Sequence, residues 1–348
     1  MKKIQERNLF IDFVRGIAAL MIVVFHSTDY AAYNHGIHDL FFDNRFLYYR
    51  CLHSVQIPLF MLVSGFTLPG RNRDGEHHDK QLEKSWIIRK FKQLVIPFAL
   101  WLVIPRLFTH DWSSFCDYLI SVYKSPDNAY WFLWSLFVNH FLFYLSRRAL
   151  YFVKGKTQTN ILKNELLYDL LIFLLFSILP VVVSVELPLM IASISFYYFF
   201  YIMGYYTREV VIQTKPHIKQ LIIAFVGCFG TWIVLCYYWY SIDYGLYYKW
   251  SQGVGFAYRI FLGMIGVLCV LSISYLICNR LAFLAKRIGL IGGYTVEIYI
   301  LQFFFYNMIK TKYLFIDIVI NMICGLLISY YIAQSVHKGS IRAILFGR

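Results

Sequence analysis

Arg15 and His26 stand ten residues apart inside one apolar run, LFIDFVRGIAALMIVVFHSTDY, which extends from Leu9 to Tyr30. Asp12, Arg15 and His26 are ionisable side chains where a membrane helix should carry none. Such groups cost about 2.5–3.5 kcal/mol each at bilayer depth, so they face a protein interior or an aqueous cavity and mark function. At 100° per residue, the eleven steps from Arg15 to His26 end only about 20° past three full turns. The two side chains therefore share a helix face, ~16 Å apart along the axis, with Asp12 within about 60° of it. One stripe thus carries polar groups near both membrane surfaces, which suits a reaction between two substrates. The two substrates would arrive from opposite sides.

The elements that must position this stripe follow from composition. The 348-residue chain is 59% hydrophobic and 15% charged, with a mean hydropathy of +0.56, far from the roughly 25% charged residues of soluble domains. This predicts an all-α, polytopic membrane helix bundle. Runs of about 20 apolar residues fall at 9–28, 46–68, 87–106, 130–146, 166–184, 187–206, 219–240, 253–278, 289–309 and 313–334, which is about ten spans. With the N-terminus inside, 24 Lys/Arg fall on the inner side, 7 on the outer side and two, Arg15 and Arg259, within spans. That asymmetry predicts cytoplasmic placement of both termini. The net charge of +14 is thus explained by topology and membrane lipid, not by a nucleic-acid partner. The first run shows no small-residue cleavage site and reads as a retained helix. The loops are too short to fold alone, so residues 1–348 read as one transmembrane domain with no soluble domain. The seven cysteines show no C-x-x-C spacing and no metal signature. Cys51 and Cys116 fall in expected outer segments and are a possible pair.

In the second span Arg50, His53 and Gln56 follow at i, i+3 and i+6, on adjoining helix positions. Pro58 is expected to kink that helix, and Ser64-Gly65 to allow close backbone approach.

These residues resemble the bacterial acyltransferase-3 family of multi-pass membrane O-acyltransferases. Asp12-x-x-Arg15-Gly16-x-Ala18 followed by His26 is similar to the family's first-helix signature. IPLFMLVSGF (Ile57 to Phe66), RKFKQLVIPF (Arg89 to Phe98), WFLWSL (Trp131 to Leu136) and GGYTVEIYILQ (Gly292 to Gln302) are similar to its later motifs, in order. Two positions depart from the pattern: Lys92 stands where a second arginine is usual, and Gln302 where a histidine is usual. The resemblance implies transfer of an acyl group, acetyl from acetyl-CoA in the commonest case, to a hydroxyl of an envelope or exported polysaccharide or its lipid-linked precursor. It implies a multi-pass protein of the bacterial inner membrane. The acyl-CoA is a donor substrate and no cofactor is permanently bound.

The candidate catalytic group is His26, whose ordinary pKa near 6.5 suits removal of an alcohol proton. It lies ~26 Å along the helix from Leu9, near the outer side of a ~30 Å core. Asp29, one turn on, is expected to orient the imidazole. The alternative is a histidine bonded between helices. Arg15 either lines the donor path or joins Asp12 and Glu297 in a buried network that fixes packing. Arg71, Arg89 and Lys92 are candidates for the donor's phosphates, or serve as topology charges. On the acceptor side, His53 is a candidate contact, Arg259 an oxyanion or acidic-sugar partner or a snorkelling residue, and Trp131 a sugar platform or packing residue. Ser64 has no nucleophile-elbow surroundings. The rival reading is a transporter or flippase of a glycan, lipid or acyl compound, which also carries intramembrane charges but often shows paired broken helices.

Overall fold

A computed structural model describes residues 8–68, 84–109, 115–124, 130–154, 161–183, 191–213, 216–243, 252–336 and 340–347. Among them the regular structure is helical throughout: α1 (Leu9–Asn34), α2 (Leu47–Phe66), α3 (Lys84–Thr109), α4 (Phe115–Lys124), α5 (Trp131–Lys154), α6 (Ile161–Val183), α7 (Ile191–Gln213), α8 (Ile218–Asp243), α9 (Gln252–Arg280), α10 (Ala282–Gly292), α11 (Thr295–Leu301), α12 (Leu314–Ile323), α13 (Ser329–Ser335) and α14 (Ser340–Phe346). The helices form two compact units. One contains residues 1–66 and 207–335, the other 67–206 and 336–348.

Within the described residues each expected apolar run carries helix. Among the described residues five helical segments combine the length and apolarity needed to cross a membrane: Leu9–Asn34, Asn44–Phe66, Ile218–Trp239, Val254–Arg280 and Leu314–Ser335. The expected ninth span, 289–309, is no single rod. It divides at a turn over Gly293 and Tyr294 into α10 and α11, followed by a 3-10 turn at Gln302–Phe304. The ten residues Thr295–Phe304 reach only ~15 Å at helical rise, half a bilayer core. Two glycines, which have poor helix propensity, supply the break. A short helix, α4, also occupies the stretch read as an outer loop.

In the first unit α1 is central, packing against α2, α9, α10, α11 and α12. It starts where the Asn8 side chain accepts the free amides of Phe10 and Ile11 at 3.0 and 3.3 Å, the usual satisfaction of a helix N-terminus. It stops at His35, just before Gly36 at φ +71°. Its closest crossing is with α10. A Cβ on Gly16 would strike the Ile288 carbonyl oxygen, and one on Gly292 the Asp12 carbonyl oxygen. The two backbones touch with no side chain between them, the arrangement that small residues permit in membrane helix pairs.

Polar contacts lock the ends of this unit. The His35 ring meets the Asp317 carboxylate at 2.9 Å, and Asp317 also accepts the Thr311 amide at 2.8 Å. Buried Arg50 donates to the Tyr237 carbonyl at 3.1 Å and to Asn44 Oδ1 at 2.5 Å, and the Trp232 indole donates to Ser54 at 2.9 Å. These bonds tie α2 to α8. α2 continues through Pro58 without interruption.

In the second unit α3 packs on α5 and α14, and α5 on α6. The Trp101 indole donates to the Leu345 carbonyl at 2.8 Å, fixing α14 on α3.

Replacing Gly292 by valine forces α1 and α10 apart and should cost about 1–3 kcal/mol of stability, the range for overpacking. Gly227→Ala, whose added Cβ meets nothing within 4 Å, should leave the melting temperature unchanged or raise it. Thermal unfolding in detergent checks both, and an unperturbed Gly292→Val protein contradicts the crossing.

Candidate active site

His26, His53 and Arg259 come together in the first unit. They arrive from α1, α2 and α9, and both His26 and Arg259 act electrostatically on His53. The convergence follows from helix packing: α2 and α9 both lie against α1 and against each other. His26 is half-buried, edge-on to Phe303 at 4.9 Å between ring centroids and to Phe25 at 5.2 Å. His53 packs near the same Phe25 ring, 5.5 Å from it, and lies 5.5 Å from Trp239 and 6.0 Å from Phe41. The two imidazoles therefore share contact with one phenyl ring among further aromatic side chains, with the Arg259 guanidinium close enough to act on His53. His53 Nδ1 is buried and makes no hydrogen bond, and the same holds for Gln56 Oε1 one turn along α2. Such an arrangement offers a proton acceptor, a fixed positive charge and open hydrogen-bonding positions in a setting that rings shield from water. Those are the parts of a site for attack by a hydroxyl on a carbonyl.

Asp29 is not the partner of His26. It is exposed, and its carboxylate accepts from the Tyr49 hydroxyl at 3.2 Å. Tyr49 in turn stacks on Phe25 with centroids 4.4 Å apart, so α2 rather than the imidazole takes the carboxylate. Arg15 reaches back to Asp12, at 3.9 Å, while Glu297 is fully buried on α11. Gln302, at the departure from the family-like pattern, is fully buried and structural. Its amide donates to the Tyr299 carbonyl at 3.1 Å, and its oxygen accepts from the Tyr306 hydroxyl at 2.7 Å. Ser64 donates to the Phe60 carbonyl of its own helix at 2.8 Å.

Arg89 and Lys92 are exposed on α3 of the second unit, and Arg71 lies outside the described residues. Trp131 is half-buried against Tyr197, 5.4 Å between centroids. Cys51 and Cys116 do not pair: the described cysteines are free thiols, and Cys51 meets Cys236 of α8 instead. Among the described residues no cluster of histidine, cysteine, aspartate and glutamate is fit to hold a metal.

Sequence reasoning missed a buried network in the second unit. Arg147, counted as an inner-loop charge, is buried between Glu165, at 3.3 Å, and Asp169. Asp169 also accepts from Ser146 at 2.5 Å, Tyr206 at 2.7 Å and Tyr198 at 3.1 Å. The Arg147 guanidinium lies 4.4 Å from the centre of the Phe143 ring. Close by, the His140 ring bonds the Tyr201 hydroxyl and packs edge-on to Trp86 at 5.5 Å. The signal was available in Asp169, a carboxylate within an apolar run, which demands a partner.

Residues 8–337 match the family described as "Acyltransferase domain". Nodulation protein NolL of Mesorhizobium japonicum (strain LMG 29417 / CECT 9101 / MAFF 303099) is 27% identical over 150 residues, which cover 39% of this chain and 35% of that protein. The match therefore spans about a third of the relative's length. No solved structure matches.

Removing one partner of the Arg147 network leaves buried charge uncompensated. Asp169→Leu should cost about 3–5 kcal/mol. Limited proteolysis and thermal unfolding of the purified protein report it, and near-native stability speaks against the network.

Proposed function

The chain belongs to the family described as "Acyltransferase domain", and on that premise we propose that it is a membrane O-acyltransferase. Its donor is a cytoplasmic acyl-CoA, acetyl-CoA first among them. Its acceptor is a hydroxyl of an envelope or exported polysaccharide, or of that polysaccharide's lipid-linked precursor. The observation that carries this reading is the meeting of His26 and His53 at Phe25, with Arg259 close enough to act on His53.

His26 serves as general base. Its free imidazole nitrogen takes the proton from the acceptor hydroxyl as the oxygen attacks the thioester carbonyl. A C–O bond forms and negative charge collects on the former carbonyl oxygen, which Arg259 stabilises. The C–S bond then breaks, and the thiolate leaves with the proton held by His26. Atoms and charge balance without a metal or redox partner. His53 contacts the acceptor. The donor's phosphates are anionic and call for cationic side chains: Arg15, Arg89, Lys92 and Arg71 are the candidates. In this reading Asp29 acts indirectly, by bonding Tyr49, which stacks on Phe25 beside His26. Trp131 is a lesser acceptor candidate.

The reading includes a topology of about ten crossings in the cell membrane, with both termini cytoplasmic. Its support is the 24-to-7 distribution of Lys/Arg between alternate loops. That polarity brings donor from inside and acceptor from outside.

The test is acetyl-CoA turnover by the purified protein with isolated envelope glycan, acylation being read by mass spectrometry. His26→Ala, expressed at wild-type level, should lower the rate by about 10²–10⁴, the usual contribution of a general base. Asp29→Asn, which keeps a hydrogen-bond acceptor for Tyr49, should lose less than about tenfold, well under the value of a base. Undiminished acylation by His26→Ala sinks the mechanism. Wild-type protein that consumes no acyl-CoA sinks the function.

A further inference from the structure

The mechanism above places His53 against the acceptor but gives its buried ring nitrogen, and Gln56 beside it on α2, no bonding partner. His53 Nδ1 and Gln56 Oε1 lack hydrogen-bond partners. They lie three residues apart, on adjoining positions of one helix. The surroundings of His53 are rings: Phe25, Phe41 and Trp239. A buried polar atom without a partner is costly, and such atoms are rare in native proteins unless a ligand or water completes them. None of these rings bonds the His53 nitrogen, and His26 and Arg259 both lie close enough to act on His53.

We propose that His53 and Gln56 select an acceptor bearing a second hydroxyl beside the one acylated. The inference rests on the acyltransferase reading and assigns what that reading leaves open. His26 takes the reacting hydroxyl. The neighbouring hydroxyl of the same molecule bonds to His53, with Gln56 as the adjoining acceptor, and the carbon skeleton lies against the aromatic rings. The selected class is a vicinal diol, the arrangement found on a sugar ring, over an isolated alcohol. The physical basis is asymmetric. An acceptor that lacks the second hydroxyl leaves desolvated polar atoms unpaired, and sites built to bond a hydroxyl reject such analogues strongly.

Two small alcohols test it: trans-cyclohexane-1,2-diol and cyclohexanol, each given with acetyl-CoA to the purified full chain in detergent. The wild-type protein should favour the diol by about tenfold or more in kcat/KM, a modest share of the discrimination that buried hydrogen bonds achieve. His53→Phe keeps the ring and removes both nitrogens; it should erase that preference, chiefly by raising KM for the diol. Gln56→Met should reduce it in the same direction, and it stands in should the His53 variant fold poorly. A preference that survives in both variants overturns the inference, as does a wild-type enzyme that acylates envelope glycan but treats the two alcohols alike or ignores both. A wild-type protein inactive on glycan and alcohols alike overturns the acyltransferase reading itself.

Discussion

Backbone contact between α1 and α10 at Gly16 and Gly292 sets the position of everything else in the first unit. With no Cβ in the way, the Ile288 carbonyl comes up against Gly16 and the Asp12 carbonyl against Gly292. α11 follows α10 after a two-residue turn, so the crossing also fixes where α11 and the 3-10 turn behind it run beside α1. Phe303 then lies against His26, and Tyr306 reaches the Val23 carbonyl at 3.3 Å. In lipid, where apolar burial gives helices little reason to associate, such close approach and interhelical hydrogen bonds are what remains to hold a bundle. The glycines in the Arg15-Gly16 and Gly292-Gly293 segments thus do structural work for residues ten or more positions away.

The candidate site is built in the same economical way. Its polar groups come from three helices, and its walls are aromatic side chains, one of which serves both imidazoles. Phe25 contacts both His26 and His53 and also stacks on Tyr49. Trp239 touches His53 and Phe41. A thioester in such a place is exposed to few competing nucleophiles, since the rings occupy volume that water would otherwise fill. Side chains that look like spare hydrophobic bulk in the sequence therefore bear on whether an acyl group reaches a chosen hydroxyl or is lost to hydrolysis.

Much of this was legible in the residues alone. The helical phase of Arg15 and His26 follows from 3.6 residues per turn, and each apolar run does carry helix. His53 and Arg259 stood out because ionisable groups are expensive in lipid. What the sequence could not give was the choice of partner. Asp29 has the right spacing to face His26, yet Tyr49 on another helix takes its carboxylate, and nothing local encodes that competition. Arg147 looked like one more topology charge because charge counting treats all basic residues alike. Its burial depends on two carboxylates one turn apart on α6, within reach only once α5 and α6 pack. The break in the ninth run was written plainly in Gly292-Gly293, but a hydropathy reading smooths over two glycines in an apolar stretch.

A last feature sits between α12 and α13, where Cys324–Ile328 form a single π turn. A π turn holds one residue more than the α-helical turn it replaces. Gly325 within it lies under the Tyr306 ring, so close that a methyl group there would overlap it. In the language of genes, one codon separates this segment from a regular helix. Its deletion would swing Ser329 and Ala333, both buried, by about 100° and carry the glycine away from the tyrosine. When kindred sequences are aligned here, a one-residue gap will signify a rotated helix end rather than a shortened loop.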